Sequence, residues 1–221
     1  MWPHADFVTA CDRAFGTGTL LVGLHGQGRD QGLPSWAAAL VEAERDAVAI
    51  RSFQPGVFPG LLQTPDYARA MFTAGMVGVG DEEGLERSVN QRLARQQILS
   101  AGTLRNYHLI LDEAALRRIV GSLEVMRAQF VQLYDAIQRQ VVTVQVLPFD
   151  VGPYRAPSPI TVLDLADGGS VVHLEGIESR TTTNPRTIQD CINRFDMLRS
   201  QAASLAASAR MIDVRIKELE P

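Results

Sequence analysis

Four side chains in this sequence have the types needed for acid–base or nucleophilic work. Asp112 and Glu113 stand together where the expected strand Asn106–Leu111 gives way to a helical pattern, a junction at which enzymes place acids. His173 and Glu175 lie two residues apart on an expected strand, so they share a face and have the spacing of a proton-transfer pair. Together the four would suit a small hydrolase or transferase. Each also has a plainer use: Asp112 as the cap of the helix that follows, and His173 with Glu175 as the half-solvated face of a strand.

Other catalytic patterns do not assemble. The four histidines, His4, His25, His108 and His173, form no spaced ligand set for zinc or iron. Cys11 and Cys191 match no metal or disulfide spacing. There is no Gly-x-Ser-x-Gly elbow, and Gly16-Thr17-Gly18 and Gly78-Val79-Gly80 lack the strand-to-helix setting of a phosphate loop. The sequence thus predicts no metal, no cofactor and no catalytic site.

Arginine supplies the other chemistry. Of 21 basic residues only Lys217 is lysine, and Arg69, Arg87, Arg92, Arg95 and Arg105 gather in the first half of the chain. The planar guanidinium suits fixed bidentate contacts. Glu82, Glu83, Glu86 and Asp112 lie close enough in sequence to neutralise the group. Two readings stay open: an internal salt-bridged network, or a site for an acidic ligand or partner. The net charge of -4 and a pI near 5.6 argue against a dedicated polyanion-binding surface. No apolar run approaches membrane-spanning length, and no signal-peptide pattern opens the chain. A cytoplasmic, non-membrane protein is expected.

These groups must be positioned by something, and the sequence points to the corner Phe53–Ala70. Two prolines and two glycines fall within Pro55–Gly60, so the backbone must turn on a fixed path, while Phe53, Val57, Phe58, Leu61 and Leu62 give the turn something to bury. Thr64-Pro65-Asp66 then reads as a helix start: cap, proline at the first helical position, acid in the first turn. Around this corner the periodicity predicts helices over 3–15 (Phe7, Cys11 and Phe15 on one face), 34–49 (Trp36, Leu40, Ala43, Ala47), 65–74, 81–100, 113–119 and 122–138. A last long helix opens at Asn184-Pro185, bends through the Ala/Ser-rich stretch 200–209 and resumes at Met211. Strands are expected at 106–111, 142–147, 160–165 and 171–175, the last two a hairpin around Asp167-Gly168-Gly169. The fold class is therefore α+β: a small, mostly antiparallel sheet packed with several helices, with a long C-terminal helix.

The run Pro59-Gly60-Leu61-Leu62-Gln63-Thr64-Pro65 with Tyr67-Ala68-Arg69-Ala70 carries a resemblance. Further blocks follow in order: Arg92-Leu93-Ala94-Arg95-Gln96; Leu111 to Arg118 with Gly121; Met126 with Gln129; and Val144-Gln145-Val146-Leu147-Pro148-Phe149. Over about residues 1–215 the chain resembles the C-terminal regulatory domain of actinobacterial xenobiotic-response-element-type helix-turn-helix transcriptional regulators, a domain of uncharacterised chemistry in an antitoxin-like arrangement. The resemblance implies a transcription-regulating, effector- or partner-binding domain rather than an enzyme. It implies a small partner protein, with a homodimer or pairing with full-length relatives also possible. Its ligand- or partner-binding residues would be Gln63, Tyr67, Arg69, Arg92, Arg95 and Gln96. It makes 1–25 the end of a helix-turn-helix module whose groove-entering helices are missing here and 35–221 the regulatory domain; between them 26–34, rich in Gly and polar residues, reads as a linker. Specific DNA binding by this chain alone is not expected.

Overall fold

In the computed structural model, which describes residues 5–18, 21, 35–75, 82–154, 158–176 and 179–220, the segment Ala47–Gln54 is a strand, β1. It occupies the middle of a six-stranded mixed sheet. Its neighbours are β2 (Asn106–Asp112) and β4 (Ile160–Leu165), and β3 (Thr143–Leu147), β5 (Ser170–Leu174) and β6 (Arg180–Thr182) complete the order β3-β2-β1-β4-β5-β6. Two of these strands correct the four-strand expectation. The helix expected over 34–49 ends at Arg45, and Ala47 belongs to β1. A central strand buried on both faces shows no alternation, and Ala47, Ile50, Ser52, Phe53 and Gln54 are all buried. Its apolar spacing therefore reads as a continuation of the helix before it.

Three pairings (β1–β4, β4–β5, β5–β6) are antiparallel, while β1–β2 and β2–β3 are parallel. Parallel neighbours need crossover connections. The first holds the corner, helix α3 (Pro65–Ala74) and helix α4 (Glu82–Arg95), continued as a 3-10 turn through Leu99; the second holds α5 (Glu113–Arg117) and α6 (Leu123–Gln138). The hairpin between β4 and β5 turns through Gly168, whose φ of +88° favours glycine.

Helix α7 (Pro185–Gln201), opened by Asn184 as cap, lays Cys191, Phe195 and Leu198 against Phe53, Ile110, Val162 and Val172 on one face of the sheet. The chain then breaks rather than bends. Ala202 is extended, Ser204 caps a new helix, and α8 runs Leu205–Glu218, starting earlier than the expected Met211. This break closes the open edge of β3. Ala203 N–H donates to the Val146 carbonyl at 2.8 Å, Val146 N–H donates to Ser208 Oγ at 2.9 Å, and Gln145 donates to the Ala203 carbonyl at 2.9 Å.

All of this lies in one of two units, Val41–Pro221. In the other, Met1–Leu40, helix α1 spans Ala5–Phe15. Its buried positions are Val8 and Asp12, whereas Phe7 and Phe15 are exposed. The expected Phe7/Cys11/Phe15 face is thus corrected. Asp12 accepts from Thr17 Oγ1 at 2.5 Å and from Leu21 N–H at 2.9 Å, folding the chain back after Gly16. The boundary between the units falls inside helix α2 (Ser35–Arg45). The expected linker 26–34, the turn at Gly78–Gly80, Asp81 and Arg155 lie outside the described residues.

Candidate functional site

The corner begins where β1 ends. Pro59 is extended, a single 3-10 turn covers Gly60–Leu62, and Thr64 caps α3 by accepting from Tyr67 N–H at 3.2 Å. Phe58, Leu61, Leu62, Tyr67 and Ala68 are buried. Phe58 meets Tyr67 and Phe130 edge-on, at centroid distances of 5.4 and 5.6 Å. Buried irregular backbone must find partners for its amides and carbonyls, and here glutamines supply most of them. Gln63 donates to the Phe58 carbonyl at 2.7 Å. Gln96 donates to the carbonyls of Gly60 (3.1 Å) and Gln63 (2.7 Å). From α6, Gln129 and Gln132 donate to the Leu62 carbonyl at 2.7 and 3.0 Å, and Gln129 accepts from Thr64 N–H at 2.8 Å. The Tyr67 hydroxyl accepts from Phe58 N–H, and burial pushes its pKa up to about 12.

Two arginines back this network. Arg92 donates from Nη1 to Gln63 Oε1 at 2.8 Å and lies 4.1 Å from the centre of the Phe72 ring. Its stem runs past Gly60, where a Cβ would come within 3.5 Å of Nε. That Nε is buried without an acceptor. Burial, with Arg95 close by, pushes the Arg92 pKa down to about 10 against the pull of Glu175 and Glu44. Arg95 forms a bidentate pair with Glu44 at 2.8 and 2.7 Å. Burial opposes the Arg95 charge, but the Glu44 bonds outweigh it and its pKa is raised. Arg69 shares none of these contacts. It binds Glu86 at 2.8 and 3.0 Å and Asp66 at 2.9 Å, ties α3 to α4, and lines an open concavity of about 540 Å³ with Ala70, Thr73, Gly121 and Val125. Of the six residues singled out by resemblance, Gln63, Tyr67, Arg92 and Gln96 come together around the corner, Arg95 is near Arg92 but bonded to Glu44, and Arg69 stands apart.

The acid–base candidates are dispersed. Asp112 caps α5 by accepting from Ala114 N–H at 2.7 Å, and its second oxygen accepts from the Tyr154 hydroxyl at 2.5 Å. Glu113 pairs with Arg117 and accepts from Phe149 N–H at 3.1 Å. His173 is buried on β5 within 3.1 Å of Thr181 Oγ1; burial, then the field of Arg95, pushes its pKa down to about 4. Glu175 follows the end of β5; desolvation of its carboxyl raises its pKa, while Arg92 and Arg95 pull it back. Between Asp112 on β2 and His173 on β5 stand β1 and β4, so the two are at least about 14 Å apart at ordinary strand spacing. Among the described residues no three His, Cys, Asp or Glu side chains are grouped to hold a metal, and no helix is long and apolar enough to cross a membrane.

A feature the sequence reading missed lies between α5 and α8. Leu116, Ala207, Met211 and Val214 form the floor of a groove of about 430 Å³, with Glu113, Arg117, Arg210 and Arg215 around it. Arg215 donates to the Leu116 carbonyl at 3.0 Å and pairs with Glu218. The only signal in the sequence was the spacing of Ala207, Met211 and Val214 on one face of a helix; their neighbours on α5 are about ninety residues away in the chain.

The profile of a protein family, the domain of unknown function DUF5753, matches residues 37–214, and the chain belongs to that family. No curated protein and no solved structure was found to match.

Proposed function

We propose that this chain is the regulatory, partner-binding part of a helix-turn-helix transcriptional regulator of the antitoxin-like kind, and that it does not read operator DNA by itself. One observation carries the reading. Three of the four groups capable of chemistry, Asp112, Glu113 and His173, serve as fasteners of the fold, whereas the α5–α8 groove offers an open apolar floor with an arginine rim. Asp112 and Glu113 cap and brace α5, and His173 sits inside the sheet layer. The motif resemblance around the corner supports the regulatory assignment. With a net charge of -4 the chain has little long-range attraction for a polyanion.

The test is affinity capture with this chain as bait in its host cells, with mass spectrometry of both proteins and small molecules. A small protein held in stoichiometric amount supports the proposal. Turnover of a substrate by the isolated chain, abolished by Asp112→Asn or His173→Gln in a folded variant, would replace it with the hydrolase or transferase reading.

A further inference from the structure

Resting on the partner-binding reading, we propose that the groove between α5 and α8 is the docking site and that its occupant is an acidic amphipathic helix of a partner protein. Charge argues for this occupant first. The groove is lined by three arginines, Arg117, Arg210 and Arg215, and one carboxylate, Glu113, with Glu218 beside Arg215, on a chain whose net charge is -4. Glu113 is already engaged by Arg117 and by Phe149 N–H, and Arg215 by Glu218. Arg210 is exposed and has no carboxylate within ion-pair distance among the described residues. An incoming Asp or Glu would therefore find a cation without displacing an internal pair.

Shape argues for a helix. The apolar floor follows Ala207, Met211 and Val214 along α8, two turns or about 10 Å, which matches anchors at i, i+3 or i+4, and i+7 of a partner helix. Val214 is 49% exposed, and Met211 lies three residues before it in the same lining. These side chains are large enough to anchor a partner. A nucleic acid would leave this floor unmatched.

The probe is a synthetic peptide of about 16 residues, with leucines at i, i+3, i+4 and i+7 and glutamates flanking them; a twin carries lysines in place of the glutamates. Fluorescence anisotropy with the full 221-residue chain should show saturable binding of the acidic peptide only. Arg210→Glu, an exposed helical position, should weaken it roughly tenfold or more and shift preference toward the lysine twin. Met211→Glu should abolish binding; if it unfolds, the Arg210→Glu charge swap decides alone. Equal binding of both peptides, indifference to Arg210→Glu, or no binding overturns the assignment. So does self-association of the chain that blocks the groove against the peptide, which would make a second copy the occupant. The two readings fail separately. A host partner retained in full by Arg210→Glu leaves the partner-binding reading intact and removes the groove from it.

Discussion

Gln129, on α6, holds Thr64 by a bond from the Thr64 N–H to its side-chain oxygen at 2.8 Å, while its amide nitrogen donates to the Leu62 carbonyl at 2.7 Å. One fully buried side chain thus satisfies backbone on both sides of Gln63 and fixes the corner to a helix 65 residues later. Replacing Gln129 by leucine keeps the bulk but leaves the Thr64 N–H buried without this acceptor. Urea unfolding should show a loss of about 1–3 kcal/mol. A loss below about 0.5 kcal/mol, in the range of ordinary surface changes, would mean that the corner finds other partners.

Leu61 tests the same corner through packing. It is 5% exposed, and Leu61→Ala should cost about 2–5 kcal/mol in the same measurement. An unchanged midpoint would show that the corner does not carry the fold.

The Arg95–Glu44 pair predicts an asymmetry. Their side chains are 17% and 7% exposed, so removing one partner strands the other charge. Arg95→Met should destabilise by about 3–5 kcal/mol. The double variant Arg95→Met with Glu44→Gln should lose less than either single change. Equal or additive losses in the double-mutant cycle would count against a coupled buried pair.

His173 gives the pH dependence its sign. Its folded pKa of about 4 lies below its ordinary value of 6.5. Between these values the unfolded chain binds a proton that the native chain does not, so stability falls as pH drops through this window and changes no further from this cause below it. Thermal melts from pH 7 to pH 4 should show this decline, and His173→Gln should flatten it. An equally steep decline in the variant would assign it to other groups.

Much of this architecture was legible in the sequence because local chemistry dictated it. Thr64-Pro65, Asn184-Pro185 and Asp112 each cap the helix that their types announce. The β4–β5 hairpin follows from Asp167-Gly168-Gly169. Strand β1 was hidden because Ala47–Gln54 is buried on both sides and directly follows an alanine-rich helix with only Asp46 between them. Strand β6, three polar residues long, has no pattern to read. The same limit governs the site. Motif blocks identified Gln63, Arg92, Arg95 and Gln96, but their partners are set by tertiary distance: Glu44 lies 51 residues from Arg95, and Gln63 lies 29 from Arg92. The groove is a product of α5 meeting α8, and no local stretch encodes it.

The most direct test of the partner-binding account is native mass spectrometry of this chain captured from its host cells at physiological salt. The account predicts a defined complex with a second, smaller protein, present in stoichiometric amount; its loss on Arg210→Glu together with Met211→Glu in a folded variant would further place the partner in the α5–α8 groove. The chain recovered alone, converting a small molecule that no partner is needed to process, would contradict it.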